Sequence, residues 1–471
     1  MSDNLPAIVE DPTTDKPQPI VLPTQMQLRR ILGIRDLALF IIGGVIGSGI
    51  FLVPSSVLRA VGNSVPLALT IWLAGGLLSL VGALTYGELS AMKPHVGGLY
   101  VYIRDCFGPF LAFLFGWTMF FVISSGSIAA LAVAFSDYLG DLIPISAGVG
   151  KLVSALVIVA IAAINVRGTR HSADLQNITT VIKVLAILLM AAILLWFGKN
   201  PILAHIGASS TRRVGSLISG FGAAMISVLW AYEGWQYATY AAGETINPKR
   251  TFPLSSLIGS LALIGIYVFA NLGYLAALGP DGVAKSNRVA VSALATVINP
   301  SVAKLVTITI LISIVGAANS TVLGAPRVFL AMARDGLFFK RLSEVHPRFG
   351  TPAFAIIGLA TWAMLLATSG TFEQLLTYVV FVGWAFYALA AASIFIYRRR
   401  GPDDARGYRV PLYPFTPIIF IVAAVALVVD TIATQPLRAA VGVGIVVLGA
   451  PAYAFWRRTA KLARREDSEH G

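Results

Sequence analysis

The sequence predicts an all-α polytopic membrane protein built from two repeats, each opening with an interrupted helix. Three observations carry that expectation. Of 471 residues, 57% are hydrophobic and only 12% charged, against roughly 25% charged in soluble domains, so too little polar surface exists for a water-facing protein. Apolar stretches of about 20 residues, each enough to cross a bilayer as a helix, recur along the chain. Two of them are broken by residues that a membrane helix should avoid, and these two stand five helices apart.

Twelve stretches qualify: 36–58, 66–90, 108–136, 150–166, 175–197, 214–243, 254–278, 298–325, 352–369, 373–397, 413–431 and 438–457. The first contains "GGVIGSGIFLVP", residues 43–54. Gly43, Gly44, Gly47 and Gly49 each disfavour a helix interior by about 1 kcal/mol relative to alanine, and Pro54 follows. Close packing through small residues would need fewer glycines. An unwound segment with free N–H and C=O groups accounts for all of them, and inside a membrane it survives only where protein or a water-filled cavity surrounds it. The sixth stretch contains "ISVLWAYEGWQYATYAAGE", residues 226–244, with Glu233 beside Gly234. An ionisable group in a span is a functional candidate by default. Two interrupted helices in corresponding positions point to an inverted-repeat transporter with its site at the midplane. Helices 1–5 (31–200) then match helices 6–10 (210–400), and helices 11–12 (410–457) are additions.

The flanks follow from composition. Residues 1–30, polar and proline-rich, predict a disordered tail, and no cleaved signal peptide is expected because no apolar region follows a basic start. With the N-terminus placed in the cytoplasm, the larger share of the 35 lysines and arginines falls on cytoplasmic loops and the C-terminal tail 458–471, as the positive-inside rule requires. Both ends are therefore expected in the cytoplasm, and the net charge of +13 needs no nucleic-acid partner. The single cysteine, Cys106, cannot form an internal disulfide.

The chemistry of the breaks assigns roles. N–H groups of Gly47, Ser48 and Gly49 can point at an anion, helped by the positive end of the half-helix beyond. Carbonyls from Trp230 to Glu233 can accept from a cation. Donors for an anion beside acceptors for an ammonium suit the backbone of an α-amino acid. Small or neutral residues at Ala223, Ala224, Gly126, Ser127 and Trp384 are the expected neighbours of its side chain. Lys183, the basic residue well inside a span, is either a snorkelling lysine or a functional cation. Burial disfavours the charged form of a lysine, so a proton-carrying role stays open beside a fixed one.

The chain resembles the amino acid–polyamine–organocation (APC) superfamily, and within it the L-type amino acid transporter branch and its prokaryotic relatives. Four motifs in order carry the resemblance: "GGVIGSGIF" in helix 1, "YGELSAMKPHVGGLYVYIRDCFGP" at 86–109, "WAYEGWQ…GETINPKRTFP" at 230–253 and "GAANSTVLGAPRVFLAMARDGLF" at 316–338. The resemblance implies the leucine-transporter fold, with a 5+5 inverted repeat, and transport of L-amino acids by alternating access. It implies that Ser48 and Gly49, with Gly47 alongside, donate to the substrate carboxylate. The carbonyls of Val45, Trp230 and Glu233 would accept from the amine, and the Trp230 ring would close over the substrate from outside. Lys183 would take the place of a coupling ion and bridge helices 1 and 8. That makes sodium symport the weakest coupling and leaves exchange against proton symport open.

There are departures. The L-type branch usually has glycine at Glu233 and an amide, often asparagine, at Gln236. Glu233 can sharpen amine recognition, couple protons or face a packed interface. The animal members join a single-span heavy chain through a cysteine between helices 3 and 4; residues 137–150 hold none, so no disulfide-linked heavy chain is expected. Glu88, Lys93 and Arg104 form either a cytoplasmic gate network with Arg334 and Asp335 or a solvated salt-bridge cluster, and the sequence leaves both open. An enzyme would need paired carboxylates, metal-spaced ligands or a nucleophile with its base, and a channel a repeated filter or charged rings. Neither pattern occurs in the spans, and no cofactor or metal is called for. The expected activity is exchange of neutral amino acids by a protein whose partners are its substrates, the lipid bilayer and, if symport applies, protons.

Overall fold

In a computed structural model of the protein, the described residues are 28–201, 214–299, 303–369, 372–400, 407–434 and 436–469. Residues 1–27 of the expected tail lie outside them. Leu28, just inside, is buried, so packed structure starts within the stretch expected to be a tail.

Every expected stretch carries helix. The first is split into α1 (Ile34–Val45) and α2 (Gly49–Ala60), bent by 47° across Ile46–Ser48. α3 (Val65–Met92) and a short α4 (Leu99–Phe107) precede α5 (Pro109–Thr118) and α6 (Ser124–Gly140), which a π-helical turn joins into one span. α7 (Ala147–Arg167) and α8 (Thr169–Phe197) complete the first half. The second half opens with another split pair, α9 (Val214–Ala231) and the single turn α10 (Tyr237–Tyr240), followed by α11 (Pro248–Lys285) and α12 (Val289–Val297). α13 (Ala303–Gly324), α14 (Pro326–Arg334), α15 (Ala353–Ser369) and α16 (Phe372–Arg400) follow. α17 (Phe415–Thr434) and α18 (Pro436–Glu469) are the additions, and α18 runs on through most of the expected C-terminal tail. Among the described residues, eight helices are long and apolar enough to cross a membrane unbroken, and α1–α2 make a ninth as a bent pair.

Local chemistry explains the boundaries. Pro109, Pro248 and Pro326 open helices, where the missing N–H would have no partner anyway. Ser146 caps α7 by accepting from the Val149 N–H. Leu185 and Leu189 on α8 are largely exposed, as lipid-facing residues should be, while the same helix buries Thr169, Ser172, Gln176, Thr180 and Lys183. That spacing of three or four residues puts the polar groups on one face, turned towards α1 and α13, both of which pack on α8. α11 lies against α1, α3 and α8. The first split helix is thereby enclosed by α8, α11 and α13, which supply the polar groups its unwound backbone needs.

Candidate functional site

The first break is assembled from glycine upward. A Cβ on Gly43 would collide with Thr180 Oγ1 and the Gln176 amide, and one on Gly44 would stand 2.6 Å from Ser320 Oγ. Glycine therefore lets α1 lie directly on α8 and α13. Where the chain then unwinds, its carbonyls find donors on three other helices. Lys183 Nζ, fully buried, donates to Gly43 O at 2.6 Å and Ile46 O at 2.5 Å, and reaches Ser313 O on α13 at 3.4 Å. Ser313 Oγ lies 3.0 Å from Ile46 O and 3.1 Å from Gly47 O. The Tyr267 hydroxyl of α11 stands 3.2 Å from Val45 O, which also accepts from the Gly47 N–H at 2.8 Å. The N–H groups of Ser48 and Gly49, at the start of α2, have no acceptor among the described residues. Ser48 Oγ is buried without a partner too.

The second break closes on itself. The Glu233 N–H donates to Trp230 O at 3.0 Å, the Gly234 N–H to Gln236 Oε1 at 3.0 Å, and the Tyr237 N–H to Gly234 O at 3.2 Å. Gly234 has φ +128°, a conformation that favours glycine, and a Cβ there would lie 2.5 Å from Gly44 O. The two breaks thus touch backbone to backbone. Glu233 Oε1 accepts from the Tyr387 hydroxyl of α16 at 2.9 Å and from Gln236 Nε2 at 3.3 Å. Its other oxygen, Oε2, is buried and has no partner.

Between the breaks lies one small cavity of about 60 Å³, lined by Val45, Gly47, Ser48, Gly49, Trp230 and Glu233 together with Ser127, Leu131, Tyr237 and Thr321. Six of the expected substrate-site residues therefore meet. Gln236 is not on the wall; it stands behind Glu233 and orients it. Lys183 is behind the first break, bonded to α1 and α13. Of the five expected side-chain neighbours only Ser127 lines the cavity. Ala223 is exposed, and Trp384 packs against Tyr387 and Phe420.

Some expected backbone roles change. The Gly47 N–H is spent on Val45 O, which also has the Tyr267 hydroxyl from α11, and Trp230 O accepts from the Glu233 N–H within its own turn. The cavity wall thus carries Ser48 and Gly49, whose N–H groups have no acceptor among the described residues, and Glu233, whose Oε2 has no partner.

The expected gate network divides in two. Arg104 pairs with both oxygens of Asp335 at 3.0 and 2.9 Å, and the Tyr100 hydroxyl joins them at 2.7 Å. Glu88 is not part of it. Its carboxylate is fully buried and takes Arg398 in a two-pronged pair at 2.8 and 2.7 Å plus the Val410 N–H at 2.6 Å, because its face of α3 turns towards the end of α16. Lys93 lies over the Tyr397 ring.

A third pair escaped the sequence reading. Arg327 Nε donates to Glu244 Oε1 at 2.7 Å, and Thr169 Oγ1 to Glu244 Oε2 at 2.8 Å, with both charged groups 1% exposed. The Glu244 carbonyl receives the Ile31 and Leu32 N–H groups, tying the N-terminal segment to α8, α14 and the exit of the second break. The signal was the polar stripe of α8, which begins at Thr169.

A polytopic bundle in which two split helices meet at an internal cavity is the architecture of a secondary transporter. The chain belongs to the amino acid permease family, whose model matches residues 32–448. It is 33% identical over 432 residues to the serine/threonine exchanger SteT of Bacillus subtilis (strain 168), covering 90% of this chain and 96% of that protein. It is 32% identical to the human cystine/glutamate transporter, with 91% and 85% covered, and 29% identical to the mouse large neutral amino acids transporter small subunit 2, with 92% and 83% covered. It is an integral membrane protein and a transporter, not an enzyme.

Proposed function

We propose that this protein exchanges neutral L-amino acids across the cell membrane by alternating access, with both chain ends in the cytoplasm and without a disulfide-linked heavy chain. The observation that carries the reading is the pairing across one cavity of two unbonded N–H groups, on Ser48 and Gly49, with the unpartnered Glu233 Oε2. The donors suit an α-carboxylate, reinforced by the positive end of α2, and the carboxylate oxygen suits an α-ammonium. Charge favours a neutral substrate. Lys183 and Glu233 balance each other near the breaks, and a zwitterion leaves that balance intact in a region where a lone charge is costly. Exchange is favoured because Lys183 gives its protons to three carbonyls, as a fixed cation would. By name, the serine/threonine exchanger and the large neutral amino acids transporter small subunit 2 support a neutral substrate, whereas the cystine/glutamate transporter does not.

One observation favours a second reading, proton-coupled symport: Glu233 Oε2 is free inside a span and able to hold a proton. Both are tested with purified protein in liposomes and a panel of labelled neutral amino acids. Uptake that requires internal amino acid and ignores an inward proton gradient is expected. Gradient-driven uptake into empty liposomes would replace exchange with symport, and no uptake of any amino acid would sink both.

A further inference from the structure

A second, larger cavity lies where α6 ends and α7 begins, three crossings along the chain and so at the membrane face opposite the N-terminal segment. It holds about 480 Å³ and is walled by Ser136 and Asp137 of α6, by Ser146, Gly150 and Lys151 around the first turn of α7, and by Ala367 near the end of α15. The three helices pack on one another. Gly150 permits the close approach of α7 to α6, since a Cβ there would stand 2.7 Å from Ser136 Oγ. The volume falls among those of small-molecule sites, roughly 300–1,000 Å³.

Two opposite charges border this space uncommitted. Asp137 and Lys151 are exposed, and neither makes an ion pair or hydrogen bond among the described residues, with each other or with any other group. Asp141, one turn further on, differs because Arg288 pairs with it. The buried Ser136 hydroxyl, on the same wall, makes no hydrogen bond among the described residues either.

The position narrows the occupant. Both charges lie about one turn inside the ends of apolar spans. Immediately below them, Leu152, Leu156 and Val159 of α7 and Leu365 of α15 are largely exposed, as side chains facing hydrocarbon are. A free solute would need only the charges, whereas a lipid uses the leucine surface as well. A phosphate suits Lys151 and the positive end of α7. A primary ammonium, with three N–H donors, suits the Asp137 carboxylate.

We propose that this cavity binds the headgroup of an aminophospholipid, its phosphate towards Lys151 and its ammonium towards Asp137, with the acyl chains along α7 and α15. The proposal stands apart from the transport reading, because none of its residues touches the central cavity.

The test is native mass spectrometry of the full-length protein in detergent, given an equimolar mixture of phosphatidylethanolamine, phosphatidylcholine and phosphatidylglycerol with the same acyl chains. Phosphatidylcholine has no N–H to donate, and phosphatidylglycerol has no ammonium. Wild type should retain phosphatidylethanolamine over either other lipid by about two- to fivefold, the scale of an exposed ion pair. Asp137→Asn should erase that preference, and Lys151→Gln should lower retention of phosphatidylethanolamine, with thermal unfolding of both variants at the wild-type temperature. If Asp137→Asn does not fold, Asp137→Ser is judged by the same outcomes. No preference in wild type, a preference that survives loss of the Asp137 carboxylate, or undiminished retention in Lys151→Gln would overturn the proposal. A second labelled amino acid bound per wild-type molecule and lost in Asp137→Asn would assign the cavity to a free amino acid and overturn it too.

Discussion

The two breaks solve the same problem by opposite means. In the first, from Gly43 to Gly49, the unwound carbonyls are satisfied from outside by Lys183, Ser313 and Tyr267, side chains on three different helices. In the second, from Ala231 to Gln236, the turn bonds largely to itself, and Gln236 and Tyr387 serve its one carboxylate. The first break is thus built from bare backbone whose position depends on the whole bundle. The second is a local unit that presents an acid. The difference teaches where sensitivity should lie: damage to the support of the first break should spread through the fold, whereas damage to the second should stay in recognition.

The largest effect that would sharpen this contrast is Lys183→Met. It leaves Gly43 O without its donor and takes one from Ile46 O, each buried group costing about 1–3 kcal/mol. Exchange should be lost, and thermal unfolding in detergent should begin well below the wild-type temperature. Unaltered stability would show that the first break supports itself. A smaller and more local effect is expected from Glu233→Gln. The amide can keep its bonds to Tyr387 and Gln236 but offers the ligand a neutral oxygen, and charge-assisted bonds are roughly twice as strong as neutral ones. Competition assays should show apparent affinity for amino acids falling about tenfold, or about 1.4 kcal/mol, with thermal stability kept or increased because a lone buried acid is gone. A large loss of stability would break the comparison.

Legibility in the sequence followed the same divide. The glycines of the first break and the acid of the second stand out against apolar surroundings, so the sequence pattern marks the two helices and five of the six cavity residues, and the family resemblance adds Val45. The reach of Lys183 to helices 1 and 8 came from the family resemblance and matches its bonds to Gly43, Ile46 and Ser313. The rest depends on contacts between residues far apart in the chain. Nothing near Tyr267 marks it as the group serving Val45 and Ala231, and Arg327 finds Glu244 across 83 positions. Glu88 was grouped with Arg104 because both lie near the exit of helix 2, yet helix rotation sends Glu88 to Arg398. The partners that Val45 O and Trp230 O already have, the Gly47 N–H and Tyr267 hydroxyl for the first and the Glu233 N–H for the second, could not be read from sequence, because they depend on how each break folds. The buried polar face of α8 was readable in principle, since Thr169, Ser172, Gln176, Thr180 and Lys183 recur at helical spacing in an apolar helix.

In the proposed function, bare N–H groups at the start of α2 hold the substrate carboxylate. Ser48 has φ −82°, which proline can adopt without distortion and without an N–H to give. The direct measurement is equilibrium binding of a labelled neutral amino acid to purified Ser48→Pro, beside Ser48→Ala, which loses only the hydroxyl. The proline variant should fold and bind no measurable ligand, while the alanine variant should keep most of its affinity. Equal binding by the two would contradict that role, because the backbone N–H of Ser48 would then contribute nothing.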